Sequence, residues 1–321
     1  MTRITAPKGV GSMSRPTGKK WLAYLKSHWL LYAMLIPGIV YIIFFKYIPM
    51  YGVTIAFRNY NGIGDISSAP WVGWANFARL FSTRAFKRAL TNNIVISVEK
   101  LIFGFPSPII LALIIDSIRR KRIKKVVQTA VILPNLISWV VLYGVLYAIL
   151  SPSTGVVKAL LEAFGYQGTI PNLLAQKSSF RALIVISHIW QASGTATVVY
   201  LAAIMGVDQE LYDAAAIDGA GYWRQLWHVT LSGIRTTVAT LFVIRVGDLM
   251  FAGFDQIFAI SNDAVISVCD IIDTYVYRIG LTQRSFSLAT AAGLFQSATG
   301  LVLVLITNRI AKKMDPDSGL F

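Results

Sequence analysis

The chain has 321 residues, 55% hydrophobic and only 14% charged, against about 25% charged for a soluble domain, so a purely soluble protein is excluded. Its formal charge is +15, yet the basic residues lie in short blocks between apolar runs, which is the pattern of a membrane chain and not of a nucleic-acid surface. One cysteine, Cys269, and three scattered histidines, His28, His188 and His228, exclude an intrachain disulfide and a Cys/His metal cluster.

Residues 1–28 hold six Lys/Arg and no acid and read as a basic, disordered cytoplasmic tail. The apolar run that follows lacks a small-x-small cleavage site and is expected to stay as a helix. Six candidate membrane spans follow at about 29–48, 92–116, 126–150, 180–205, 235–260 and 286–310. The fold class is therefore all-α integral membrane, with six transmembrane helices in a domain over 29–313 and a short C-terminal tail at 314–321. Pro37, Pro106, Pro108 and Pro134 are expected to bend the helices that contain them.

The connection after the second span, "SIRRKRIKK", packs six Lys/Arg into Arg119–Lys125 and marks the inner side. Arg309, Lys312 and Lys313 after the sixth span agree with the N-terminal tail, so both termini are expected in the cytoplasm. The connections 49–91, 151–179 and 261–285 then face outward. In the first of these Trp74, Phe77 and Phe81 recur at helical spacing, which reads equally as an amphipathic interfacial helix or as a packed loop.

The fourth connection, 206–234, falls on the inner side but opens acidic, with Asp208, Glu210, Asp213 and Asp218 ahead of any Lys/Arg. "VDQELYDAAA" reads as a short helix capped by Asp208 and rich in alanine. Gly219 and Gly221 then end it and let the chain reverse. A second helix from about Tyr222 to Thr230 would place Trp223, Leu226, Trp227 and Thr230 on one stripe. A helix–turn–helix with a small-residue knuckle fits a docking element that another surface approaches closely. It also fits a hairpin packed on its own bundle.

The phase of this segment makes it recognisable. It resembles the "EAA" loop of binding-protein-dependent ABC importer permeases, E-A-A-x-x-D-G-A followed after five residues by F-x-x-I-x-L-P. Here it reads Asp213, Ala214, Ala215, Asp218, Gly219 and Ala220, then Leu226, Val229, Leu231 and Ser232. Asp213, Leu226, Val229 and Ser232 depart from the pattern, and Ser232 removes a helix-breaking proline. "FKYIPMYG" at Phe45–Gly52 and "WVGWANF" at Trp71–Phe77 are similar to the permeases for oligosaccharides and polysaccharides, a branch that includes the alginate importer. The resemblance covers most of 28–313. It implies a coupling helix in 206–234 that docks on a cytoplasmic ATPase, a bacterial inner-membrane location and alternating access. The implied partners are a second, diverged permease, two ATPase subunits carrying ATP and Mg, an extracytoplasmic solute-binding protein, membrane lipid and a saccharide that could be acidic. This chain itself would bind no cofactor and catalyse no covalent step. "GSMSRPTGKK" has the wrong glycine spacing and ends in Lys20 where a phosphate loop needs Ser or Thr.

Polar residues inside spans mark either interhelical pairing or a pathway. Glu99, Lys100, Asn135, Ser193, Arg245 and Asp248 are such residues, with Arg245 and Asp248 spaced to pair with each other. For a saccharide pathway, Trp190 beside Gln191 and Phe295 beside Gln296 offer a stacking face next to an amide, and Arg245 suits a carboxylate. An ion-coupled secondary transporter, using Glu99 or Asp248, is the rival reading.

Overall fold

The computed structural model describes residues 26–314. The N-terminal tail up to residue 25, with its "GSMSRPTGKK" stretch, and the C-terminal residues from 315 lie outside them. The described residues are helical, apart from turns and one antiparallel bridge between Arg58 and Trp71.

The chain divides into two units, residues 1–53 and 54–321. The first contains α1 (Trp29–Ile42), a π turn at Ile43–Tyr47 and a short helix at Ile48–Met50. Trp29–Ile42 carries no charged residue and none of its side chains is buried, the pattern of a membrane-crossing helix.

The second unit contains α2 (Ala75–Ser82), α3 (Arg84–Asp116), α4 (Lys121–Leu136), α5 (Trp139–Leu150), α6 (Val156–Ala163), α7 (Lys177–Met205), α8 (Gln209–Ile217), α9 (Tyr222–Gly233), α10 (Arg235–Met250), α11 (Phe254–Ile260), α12 (Ile272–Tyr277) and α13 (Phe286–Lys313). Four helices are long and apolar enough to cross a membrane: Trp29–Phe57, α3, α7 and α13. The count rises to six if the bent pairs α4–α5 and α9–α10 each form one span.

Three cores line up along α3. Phe86 and Ala89 pack with Leu80, Ile272, Tyr275 and Ala292. Ile96 packs with Phe180, Ile184 and Ile257. Ala112 and Ile115 pack with Tyr200, Leu201, Ile204 and Ile234. Increasing residue number on α3 runs with increasing number on α7, so these two helices are parallel. The ends of both, and with them the Arg119–Lys125 connection and the 206–234 segment, emerge at one end of the bundle. The opposite end gathers Asn92, Arg181 and Val268, joined by Arg181 Nη2 to Asn92 Oδ1 at 2.9 Å and Arg181 Nε to Val268 O at 3.2 Å.

Several expected helices differ in detail. The second span begins earlier, at Arg84, and takes up Pro106 and Pro108 with a π turn at Lys100–Gly104. The third is not merely bent by Pro134. It stops after a 3-10 turn at Leu133–Leu136, passes through extended Ile137, and restarts at 107° under a new cap in which Ser138 Oγ accepts from Val141 N–H. The Trp74–Phe81 stripe splits: Phe57 stacks on Trp71 and meets Trp74 and Phe77, while Phe81 turns to Phe86 and Phe295.

Candidate functional site

The segment 208–233 folds as two short helices around a glycine. Asp208 Oδ1 accepts from Glu210 N–H at 3.0 Å and starts α8, which carries Asp213, Ala214 and Ala215. At the other end Asp218 is the C-cap and Gly219 takes φ +76°. Ala220 N–H then reaches Ala215 O at 2.8 Å, and Gly219 N–H reaches Ala216 O at 3.0 Å. This is a Schellman closure, and its left-handed residue explains the glycine. Gly221 opens α9, Gln225 Nε2 donates to Ala220 O at 2.9 Å, and the Tyr212 and Thr230 hydroxyls meet at 3.0 Å to tie the helices together.

The expected α9 stripe divides across a π turn at Leu226–Thr230. Thr230 is buried, whereas Trp223 and Trp227 point out with 71% and 65% exposure. Ile217 at the knuckle is 87% exposed. With Ser232 in place of proline, α9 continues to Gly233 and turns by 61° at Ile234 into α10. Acids, small residues and large apolar side chains thus share one exposed tip, the composition of a surface made to be covered.

α10 ends in a break. After a 3-10 turn at Asp248–Met250 the backbone passes through Phe251 to Gly253 at φ +98° before α11 begins. The carbonyls released there are met by side chains of other helices. Asn93 Nδ2 donates to Met250 O at 3.1 Å, Gln296 Nε2 to Met250 O at 2.7 Å, and Lys100 Nζ to Ala252 O at 2.6 Å. Lys100 Nζ also donates to Gln256 Oε1 at 2.6 Å, and Gln256 Nε2 passes the chain on to Ile184 O and Ser187 Oγ. Irregular backbone at membrane depth is tolerated where protein satisfies it or where it lines a cavity. Here both hold.

A cavity of about 140 Å³ lies against the break, between α3, α7 and α10. Lys100, His188, Arg245, Asp248 and Ser97 supply its polar groups. Arg245 and Asp248 are exposed on the wall. Ser97 Oγ is buried there without a protein partner. Lys100 is buried and spends its Nζ on Ala252 O and Gln256 Oε1, so the exposed charges on the wall are Arg245 and Asp248.

Residues 104–317 match the family described as the binding-protein-dependent transport system inner membrane component. The chain belongs to that permease family. Protein LplB of Bacillus subtilis (strain 168) is 39% identical over 318 residues, covering 99% of this chain and 96% of that protein. The polygalacturonan/rhamnogalacturonan transport system permease protein YteP of the same organism is 40% identical over 295 residues, covering 92% and 91%. A solved bacterial ABC transporter involved in the import of the acidic polysaccharide alginate matches at TM-score 0.84 and 39% identity, covering 92% of this chain and 99% of that one. The bacterial alginate ABC transporter in complex with an alginate pentasaccharide-bound periplasmic protein matches at TM-score 0.83 and 39% identity, covering 91% and 97%.

Within the permease, Asp213, Ala214, Ala215, Asp218, Gly219 and Ala220 fall together on α8 and its turn. Of the pathway candidates, Arg245 and Asp248 line the cavity. Trp190 and Gln191 are on α7 but off the cavity wall, and Trp190 is exposed. Phe295 packs edge-on against Phe81 and Phe86. Gln296 is buried and holds the break, reaching Asp273 Oδ1 at 3.0 Å as well. Sequence reasoning missed Asn93 and Gln256. The signal for them was "GDLMFAGF", a run with a glycine near each end, since glycines flanking an intramembrane stretch mark interrupted helices.

Proposed function

We propose that this sugar-importer permease crosses the inner membrane six times, has both termini in the cytoplasm, and moves an acidic oligo- or polysaccharide by alternating access. The observation that carries the reading is the shared end of the bundle: the basic Arg119–Lys125 connection and the exposed α8–α9 tip emerge together, next to the core of Ile115, Ile204 and Ile234. The positive-inside rule assigns that end to the cytoplasm. Residues 29–313 then form the transmembrane domain, 206–234 the coupling loop, and 1–28 and 314–321 the tails.

In this reading α8 seats in a cleft on a cytoplasmic ATPase. Ala214, Ala215, Gly219 and Ala220 allow close approach, and Asp213 and Asp218 face basic groups or hold the turn. Two ATPase subunits with ATP and Mg, a second permease and an extracytoplasmic solute-binding protein complete the importer. The exposed Arg245 on the cavity wall supports a substrate with carboxylates, as do the alginate and polygalacturonan relatives. Trp190 and Gln191 remain candidates for the face that this chain turns to the sugar, and Phe295 and Gln296 act as support.

Reconstitution with the ATPases and binding protein tests the proposal. Acidic oligosaccharides are expected to stimulate ATP hydrolysis and uptake, and Arg245→Gln to lower acidic uptake at least tenfold while basal ATP hydrolysis persists. Uptake that follows an ion gradient without any ATPase would instead support the secondary-transporter reading.

A further inference from the structure

Six Lys/Arg stand in Arg119–Lys125. Lys124 donates to Asp116 at 2.9 Å. Arg119, Arg120, Lys121, Arg122 and Lys125 are exposed and have no acidic partner among the described residues. A charge block that only set orientation would need no particular surface beneath it. Two of these charges, however, belong to a shallow open groove on α4, lined by Arg122, Lys125, Val126, Thr129 and Ala130.

The same face continues apolar beyond the groove, where Val126, Leu133 and Leu136 are 68%, 55% and 75% exposed. The opposite face is occupied, because Val127 and Val131 pack on the core around Tyr200 and Ile204. From Arg122 to Leu133 the helix rises about 16 Å at 1.5 Å per residue. One leaflet contributes about 15 Å of a bilayer's hydrocarbon core. Stood along the bilayer normal, the stripe matches one leaflet, with cations at its headgroup end. A soluble anion would use the charges and leave the stripe without purpose; a phospholipid uses both.

We propose that this groove binds an anionic phospholipid of the inner leaflet. Arg122 and Lys125 hold the headgroup phosphate, and an acyl chain runs along Val126, Ala130 and Leu133. The proposal rests on the cytoplasmic side assigned to the basic connection and is independent of the transported substrate.

The test uses the assembled transporter, stripped of lipid in detergent and then given phosphatidylglycerol or phosphatidylcholine, with bound lipid counted by native mass spectrometry. Two basic side chains near a headgroup correspond to a preference of about 30-fold for the anionic lipid. Arg122→Gln with Lys125→Gln is expected to abolish that preference. Arg119→Gln with Arg120→Gln, which removes the same charge outside the groove, is expected to keep it. Ala130→Trp fills the groove without changing charge and is expected to reproduce the loss if the double glutamine variant does not assemble. Equal loss in the two charge variants would overturn the site in favour of net charge alone. Displacement by inorganic phosphate at the same concentration would overturn it in favour of a soluble anion. An unchanged preference in the groove variants would overturn it outright.

Discussion

Gly219→Ala tests the docking segment through its backbone alone. Gly219 stands at φ +76°, and no heavy atom lies within 4 Å of where a Cβ would point. An added methyl group therefore meets no neighbour, and the effect is confined to the left-handed conformation, which costs an L residue about 1–2 kcal/mol. Relaxing the turn would give up the bonds from Ala220 N–H to Ala215 O and from Gly219 N–H to Ala216 O. The population of the closed turn should fall about 5- to 30-fold. Gly219→Asn is expected to lose less, because Asn tolerates this region better than Ala. Gly219→Pro should lose most, since proline fixes φ near −65° and removes the N–H. The assay is capture of ATPase subunits by the tagged permease, with substrate-stimulated ATP hydrolysis and thermal unfolding measured on the same samples. The expected order of capture is Gly, Asn, Ala, Pro, with unfolding temperature little changed because the turn is exposed. If Gly219→Pro leaves capture and uptake intact, the coupling assignment is wrong. If Asn and Ala fall equally, the loss is not conformational.

Lys100→Met should lower stability by about 1–3 kcal/mol, because it leaves Ala252 O and Gln256 Oε1 buried without their donor; denaturant unfolding in detergent reads it, and Lys100→Gln should recover part of the loss. Gly194→Val should cost about 1–3 kcal/mol by overpacking, since a Cβ there would stand 2.8 Å from Ile132 Cα and collide with the Val131 carbonyl. An unfolding midpoint unchanged from wild type would refute the close approach of α4 to α7.

The long helices and the turn at Gly219 were readable in the sequence because their causes are local. Run length gives α3, α7 and α13, and the phase of Asp213-Ala-Ala to Asp218-Gly-Ala gives α8 and its reversal. Pro134 signalled a bend, but the 107° turn also needs Ser138 as a new cap and Gly194, some sixty residues on, to admit the α4 backbone. At Phe251–Gly253 the flanking glycines flag an interruption but not what sustains it, because the donors that make its bare carbonyls tolerable come from Asn93, Lys100 and Gln296 on other helices. Lys100 stood out as a polar residue within a span, but its acceptors are neutral and distant in sequence, so its partners were not legible. Trp190 and Phe295 have chemistry suited to a sugar, but which way each ring faces is decided by packing that composition does not encode.

The exposed α8–α9 tip and the cavity are joined by one helix. α10 has 16 residues from Arg235 to Met250 and spans about 24 Å. At its start Ile234 is buried in the core with Ile115 and Ile204, so the 61° turn from α9 has a fixed pivot. At its far end Asp248 and the broken segment form the cavity wall. Under the proposed function, docking at α8–α9 would act on the cavity through a rod turning at Ile234, opposed by the bonds from Asn93, Lys100 and Gln296 to the break. Each such bond contributes about 1 kcal/mol net. A few kcal/mol is also the range over which a ligand with unequal affinity for two states shifts their balance. A saccharide at Arg245 and an ATPase at α8 would thus bias the same element from its two ends. That shared element, and not the distance between the sites, is what coupling requires.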